Sequence, residues 1–207
     1  TERLLDVGCG NGAFLQTARK LGYEPVGVEF DSRAAEVARA SGLHVVEARV
    51  PGSGLQPEAF EHVTLNHVIE HLDDPVGALI ELYGLLKPGG RIWIKTPNID
   101  AAGHSRYGAA WRGLEAPRHL VLFGPNALAR TLRSVGFEEP EIVVPEPEAW
   151  FYLRSSAAIA RGQDPYGTHK PPAGLAREAR EFDRRALRCP DHGESVTVVA
   201  WKSRRRR

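Results

Sequence analysis

Along the first hundred residues the apolar positions switch repeatedly between two spacings. Arg3–Val7 is a short, nearly continuous apolar run closed by Gly8, the pattern of a strand covered on both faces. Beyond it Phe14, Leu15, Ala18 and Leu21 fall on one face of a helix over about 12–21, and Gly22 stops it. The pair of signals then recurs. A strand over 25–30 leads to a helix capped by Asp31 or Ser32 and ending near 41, followed by a strand at His44–Glu47. A strand over 61–66 leads to a helix over 75–86, opened by Pro75 where proline is best tolerated. Lys87-Pro88-Gly89-Gly90 ends that helix, and a fifth strand covers 91–96. Such alternation with short connections predicts an α/β fold, a doubly wound parallel sheet with helices on both faces.

The second half is less regular. Residues 98–124 mix polar, glycine and aromatic positions over a length that connections reach mainly when they carry function. Pro125–Val135 reads as a helix closed by Gly136, and 141–144 as a strand. Two helical stretches, 150–161 and 174–188, are separated by Pro165, Pro171 and Pro172. In the last strand, 195–202, Val196, Val198 and Ala200 alternate with polar neighbours. The expectation is one domain over 1–207 on a seven-stranded, mostly parallel sheet. Strands six and seven form an antiparallel edge pair, with a helical insertion before the last strand. Residues 1–98 make the ligand-binding half. Segments 99–124 and 145–193 shape a second pocket or a homodimer contact.

Charge changes this picture little. A net charge of +1 gives no global pull towards nucleic acid or an anionic membrane. The terminal run Arg204 to Arg207 is read as a solvated tail. Cys9 and Cys189 belong to no CxxC pair, which argues against a disulfide framework or zinc ribbon and fits a cytoplasmic protein. No apolar run approaches the ~18 residues of a membrane span. The chain opens at its first strand and contains no Met, so a preceding segment is expected in the native protein.

Chemistry concentrates in Leu4-Leu5-Asp6-Val7-Gly8-Cys9-Gly10-Asn11-Gly12. Alternate glycines after a strand let backbone approach a ligand closely, and a helix beginning there favours an anionic group. A dinucleotide fingerprint is GxGxxG; here the third glycine comes one place early and an acid precedes the first by two places. Glu29 closes the second strand, where an acid accepts hydrogen bonds from ribose hydroxyls. A nicotinamide-dependent oxidoreductase is thus disfavoured but stays as a rival. A non-catalytic binding module is another.

LLDVGCGNG resembles the first motif of class I S-adenosylmethionine-dependent methyltransferases. VGVEFD, FEHVTLNHVIEHLDDP and LLKPGGRIWIKTPN are similar to the three that follow it, in order and spacing. WRGLEAPRHLVLFGPNALARTLRSVGF resembles the subgroup that includes ubiquinone-biosynthesis O-methyltransferases. The resemblance implies S-adenosyl-L-methionine as cofactor and methyl transfer, to oxygen first, onto a small or medium-sized acceptor: a quinone-like phenol, a sugar or glycolipid, or another natural product. It implies that Gly8, Gly10 and the amides around Cys9 line the methionine moiety, that Asp6 orients the loop and the amino group, and that Glu29 holds the ribose. Phe30 then lies near adenine, and the backbone at Asn66 and His67 near the methionine amino group. Where members often carry an acid after the third strand, this chain has Ala48-Arg49-Val50, so adenine contact at Arg49 and Val50 falls to backbone or apolar surface.

A hydroxyl acceptor benefits from a general base. The candidates are His119, in Pro117-Arg118-His119-Leu120, and His67 and His71 after the fourth strand. Tyr107 and Trp111, with Arg118 and His119, are candidates for the acceptor wall, plain core packing being the alternative for Trp111. The subgroup has been associated with a divalent metal at positions equivalent to His67, Glu70 and His71. His67 replaces the usual acid, and no bound metal is expected. Nothing resembles the Asn/Asp-Pro-Pro-Tyr motif of base-flipping enzymes, so nucleic acid is not expected as acceptor.

Overall fold

The computed structural model describes residues 1–204, so Arg205, Arg206 and Arg207 of the basic tail lie outside the described residues. Its strands are β1 (Arg3–Val7), β2 (Glu24–Glu29), β3 (His44–Glu47), β4 (Phe60–Asn66), β5 (Leu86–Pro97), β6 (Glu138–Ile142) and β7 (Ser195–Trp201). Its helices are α1 (Ala13–Lys20), α2 (Ser32–Ala40), α3 (Pro75–Leu85), α4 (Ala102–Tyr107), α5 (Pro125–Val135), α6 (Ala149–Ile159) and α7 (Leu175–Arg188). Among the described residues the strands form one sheet in the order β3-β2-β1-β4-β5-β7-β6. The first five run parallel to one another, and β7 runs antiparallel to both β5 and β6. This is the expected seven-stranded, mostly parallel α/β sheet with helices inserted before its last strand. No helix among the described residues is long and apolar enough to cross a membrane.

Local chemistry sets the helix ends. Asp31 accepts hydrogen bonds from the amides of Arg33 and Ala34 and so caps α2. Asp74 accepts from the Gly77 amide ahead of Pro75, and Gly136 closes α5 in a left-handed conformation.

Two strands depart from the sequence expectation. β5 begins at Leu86 rather than 91, because Lys87–Gly90 stays in the ladder across a register shift opposite Phe60 and His62. The Gly89 amide donates to the Lys202 carbonyl, and the Lys202 amide to Gly90, which stitches this bulge to the end of β7. β6 begins at Glu138, ahead of the apolar residues that suggested 141–144, and shifts register between Glu138 and Glu141. It is an edge strand with Pro140 inside it, where a missing amide costs no ladder bond.

One core joins β1, β2, β4, β5 and β7 to α3 and α5, through residues such as Leu5, Leu65, Leu82, Ile94 and Leu128. A second gathers Ala101, Trp111, Tyr152, Leu153, Leu175 and Ala179 beneath the irregular segment and helices α6 and α7. The strand order reverses between β1 and β4. Open α/β sheets bind ligands outside the carboxyl ends of their strands at such a reversal. Here those ends carry Gly8 and His67.

Candidate active site

The turn after β1 is built around Gly8, at φ +69°. A Cβ there would sit 2.5 Å from Val68 Cγ2, so only glycine admits this approach. The amides of Gly8 and Cys9 both donate to the Val28 carbonyl, and that of Gly10 to Glu29 Oε2 at 2.8 Å. This corrects the expectation of free loop amides facing the ligand: the turn uses them to bind itself to β2. What it offers a ligand is bare glycine surface and Asp6.

Asp6 is only 5% exposed and accepts a hydrogen bond from Thr64 Oγ1 at 2.7 Å. Burial pushes its carboxyl up to about 7; the Thr64 bond works against this and the Glu29 charge adds to it. A buried acid of this kind is suited to a cationic ligand group. Cys9 is buried, and burial first, then the charges of Asp6 and Glu29, push its thiol up to about 12, so it is an inert filler of the turn. Glu29 holds the Gly10 amide on one oxygen and the Asp31 amide, at 2.9 Å, on the other.

Three cavities meet around these residues. One, of about 630 Å³, includes Asp6, Gly8, Cys9 and Asn66 and continues along the sheet past Thr64 and Trp93. A second, of about 620 Å³, shares Gly8 and is walled by Glu29, Phe30, Arg49, Val50, His67 and His71. Arg49 stacks over the exposed Phe30 ring at 4.9 Å. The third, of about 410 Å³, shares His67 and His71 with the second and adds Glu70, Glu115, His119 and Tyr152.

His67 stands at the sheet's edge in a left-handed conformation (φ +55°), its amide donating to the Lys95 carbonyl. Its Nδ1 lies 3.1 Å from Glu70 Oε1, and Thr96 Oγ1 donates to Glu70 Oε2 at 3.0 Å. Glu70 is fully buried and also anchors the neighbouring loop, its carbonyl accepting from the amides of Leu120 and Val121. His71 Nδ1 donates to the Arg118 carbonyl at 2.9 Å and His119 Nδ1 to the Gly113 carbonyl at 2.7 Å. A carbonyl accepts only from N–H, so on both rings Nε2 is left as the basic nitrogen. The two rings stand edge to face at 4.8 Å. Atoms of Glu70, His71 and His119 come within 4.8 Å of one another, whereas His67 instead bonds Glu70. Burial holds the His119 pKa below its ordinary value. The Gly113 bond and Glu70 act against that shift, His71 adds to it, and Glu115 opposes it.

Most of the predicted residues converge here, but three of those expected on the acceptor wall do not line the third cavity. Trp111 is 1% exposed and sits in the second core, its Nε1 donating to Glu194 Oε2 at 2.8 Å. Tyr107 packs against the same core. Neither lines the third cavity, because the segment folds its aromatic faces inward. Arg118 lines the second cavity and pairs with Glu115 at 2.8 Å. The third cavity draws instead on Arg112, Gly113, Glu115, Glu148, Phe151 and Tyr152. The aromatic cluster at 150–152 opening α6 was the available sequence signal for the last two.

A family model described as a methyltransferase domain matches residues 1–140, more than half of the chain. The chain belongs to that family. S-adenosylmethionine, the cofactor its motifs implied, is in keeping with that family. The chain is 32% identical over 143 residues to a ubiquinone biosynthesis O-methyltransferase of Albidiferax ferrireducens, covering 64% of this chain but only 54% of that protein. It is 29% identical to the enzyme of the same name from Xanthomonas euvesicatoria, over 72% of this chain and 67% of the relative. In structure the methyltransferase domain is similar to a SAM-dependent methyltransferase from Archaeoglobus fulgidus, with TM-score 0.67 and 21% identity, covering 97% of this chain and 86% of that one. This last likeness concerns the fold.

Proposed function

We propose that the methyltransferase domain moves a methyl group from S-adenosylmethionine to a hydroxyl oxygen of a small or medium-sized acceptor held in the third cavity. The observation that carries this is the shared wall: His67 and His71 line both the second and third cavities. A group held in one is thus presented to a group in the other across a single pair of imidazoles. The relatives named for O-methylation support oxygen as the acceptor atom.

The cofactor supplies a methyl group already activated on a sulfonium. The residues of the chain supply position, water exclusion and a proton acceptor. Asp6 faces the amino group, Gly8 and the backbone at Asn66 border the methionine moiety, and Glu29 accepts from the ribose hydroxyls. Phe30, Arg49 and Val50 enclose the adenine by ring, guanidinium and apolar surface, which replaces the missing acid after β3. His119 Nε2 takes the acceptor's proton, with His71 beside it. Tyr152, Phe151 and Gly113 close the acceptor side. The test is a screen of phenolic, sugar and amine acceptors with methyl-labelled S-adenosylmethionine. Labelled methyl ethers are the expected product. Label on nitrogen alone, or none on any acceptor while the cofactor binds tightly, overturns the reading.

Two predictions concern the cofactor. Glu29→Ala weakens S-adenosylhomocysteine binding about ten- to a hundredfold by titration calorimetry, the loss expected for hydrogen bonds to a charged acceptor. Unchanged affinity removes Glu29 from the ribose site. Asp6 makes binding pH-dependent. A carboxylate is needed opposite a cation, and the unliganded carboxyl titrates at about 7. Affinity therefore falls by about tenfold per pH unit below that value. For folding the sign is opposite. The raised pKa means that the folded chain binds the extra proton, so this group's stabilising contribution is full below the ordinary 3.8 and is lost as pH rises through about 7. Asp6→Asn flattens both profiles, and an unaltered binding profile in that variant clears Asp6 of the role.

A further inference from the structure

Four segments bring charged or titratable groups to the surroundings of the His119 ring. Glu70 and His71 come from the turn after β4, with His67 just before them. Arg112 comes from the 3-10 turn ahead of the loop, Glu115 and Arg118 from the loop itself, and Glu148 and Tyr152 from the start of α6. The ring is 6% exposed and fixed through Nδ1, so its proton chemistry happens at Nε2.

Glu115 stands out among these groups. Its backbone is left-handed (φ +34°), which curls the chain so that the carboxylate returns towards a residue four places on. Oε2 lies 3.6 Å from His119 Nε2, too far for a hydrogen bond and close enough for strong charge–charge interaction. The carboxylate is also pinned: Oε2 lies 2.6 Å from Arg112 NH1, and Oε1 accepts from Arg118 NH1 at 2.8 Å. Burial alone would raise its pKa, but Arg112, then Arg118 and His119, outweigh burial and hold it below the ordinary value. The two guanidiniums therefore favour the charged form of this carboxylate.

We infer that Glu115 is a positioning residue for proton transfer, a fixed negative charge that stabilises the imidazolium formed on His119. This deepens the proposed function and rests on His119 as the proton acceptor. In the step, the acceptor's O–H bond breaks and the proton passes to Nε2. The freed oxygen pair forms the O–CH3 bond, and the S–CH3 pair stays on sulfur. The positive charge that arrives on the ring lies beside Glu115, with buried Glu70 nearby. Neutral imidazole gains little from either carboxylate, so their effect falls on the product of proton transfer. Without Glu115, two arginines would face the ring uncompensated.

The test is Glu115→Gln in the whole chain, saturated with S-adenosylhomocysteine and followed by long-range 1H–15N NMR of the histidine rings. Glutamine keeps the size and shape of the side chain and one acceptor oxygen for Arg112, giving up the exposed Arg118 partner together with the charge. The His119 midpoint is expected to fall by about one pH unit with its Nδ1–H tautomer unchanged, while remote His62 stays put. Arg118→Gln supplies the opposite sign: deleting an exposed positive charge raises the same midpoint. An unmoved His119 midpoint in both variants, or shifts of the same sign, overturns the inference. The rising limb of the kcat profile should move with the midpoint in Glu115→Gln, with KM unchanged. Failure of the base assignment is separable, because full methyl transfer by His119→Ala would cancel it whatever the NMR midpoints do.

Discussion

His119→Ala lowers kcat for methyl transfer about 10²–10⁴-fold, the range a positioned general base supplies, and leaves the Kd for S-adenosylhomocysteine within about twofold. The split follows from geometry. The ring borders the third cavity, proposed for the acceptor, and is absent from the cavity walled by Glu29 and Phe30. In the unaltered domain the rate rises with pH through a midpoint below 6.5, because burial holds the imidazole neutral, and is flat above it. The variant loses that limb, and added imidazole restores part of the rate. Full activity in His119→Ala would move the role to His71, whose Nδ1 is likewise committed to a backbone carbonyl. Activity abolished by chelators and restored by a divalent ion would make the cluster of Glu70, His71 and His119 something other than a proton site.

Trp111→Ala destabilises the domain by about 3–5 kcal/mol in urea unfolding, the cost of emptying a large buried aromatic site. Trp111 stacks on Tyr152 at 5.9 Å and ties the irregular segment to the base of β7 through Glu194. Glu194 is 5% exposed, and its other oxygen accepts from the Gly103 amide at 2.8 Å. Burial raises its carboxyl to about 7 despite both donors, with Asp183 and Glu148 adding to the rise. Losing the indole N–H leaves that carboxyl half unpaired, so the variant's deficit grows towards alkaline pH, where it must carry charge. Methyl transfer falls with the acceptor wall while the cofactor half still binds. Trp111→Phe separates the two causes. It keeps most of the volume and should cost only about 1–3 kcal/mol for the orphaned acceptor. If Trp111→Ala melts like the unaltered domain, the second core is not a structural unit.

The sequence announced what depends on short spacing. β1, β3 and α5 fall where periodicity places them, because a buried strand or a capped helix is decided by its own residues. The residues proposed for the cofactor come mostly from the turns after β1 and β2, short segments whose residue types and spacing are visible in the sequence. β5 was misread at its start because Pro88, Gly89 and Gly90 look like a stop, whereas tertiary pairing with Lys202 holds them in the ladder. The acceptor side depends on contacts across tens of residues. Whether Trp111 faces a pocket or a core was settled by Glu194, 83 positions away. The pairing of Glu115 with His119 needed a left-handed residue that composition does not reveal. Tyr152 reached the cavity only through the docking of α6, whose first amides donate to Asp183 on α7.

The bulged strand β6 has a consequence for how the chain behaves in crowded company. It is one of two outer strands of the sheet, and an outer strand displays unpaired amides and carbonyls that another polypeptide can adopt. Glu138, Glu139 and Glu141 crowd three carboxylates into that stretch, and Pro140 removes an amide between them. A newly arriving strand would have to desolvate like charges and accept a broken ladder. This margin is therefore closed to aggregation by strand addition, including while the neighbouring helices are still docking during folding.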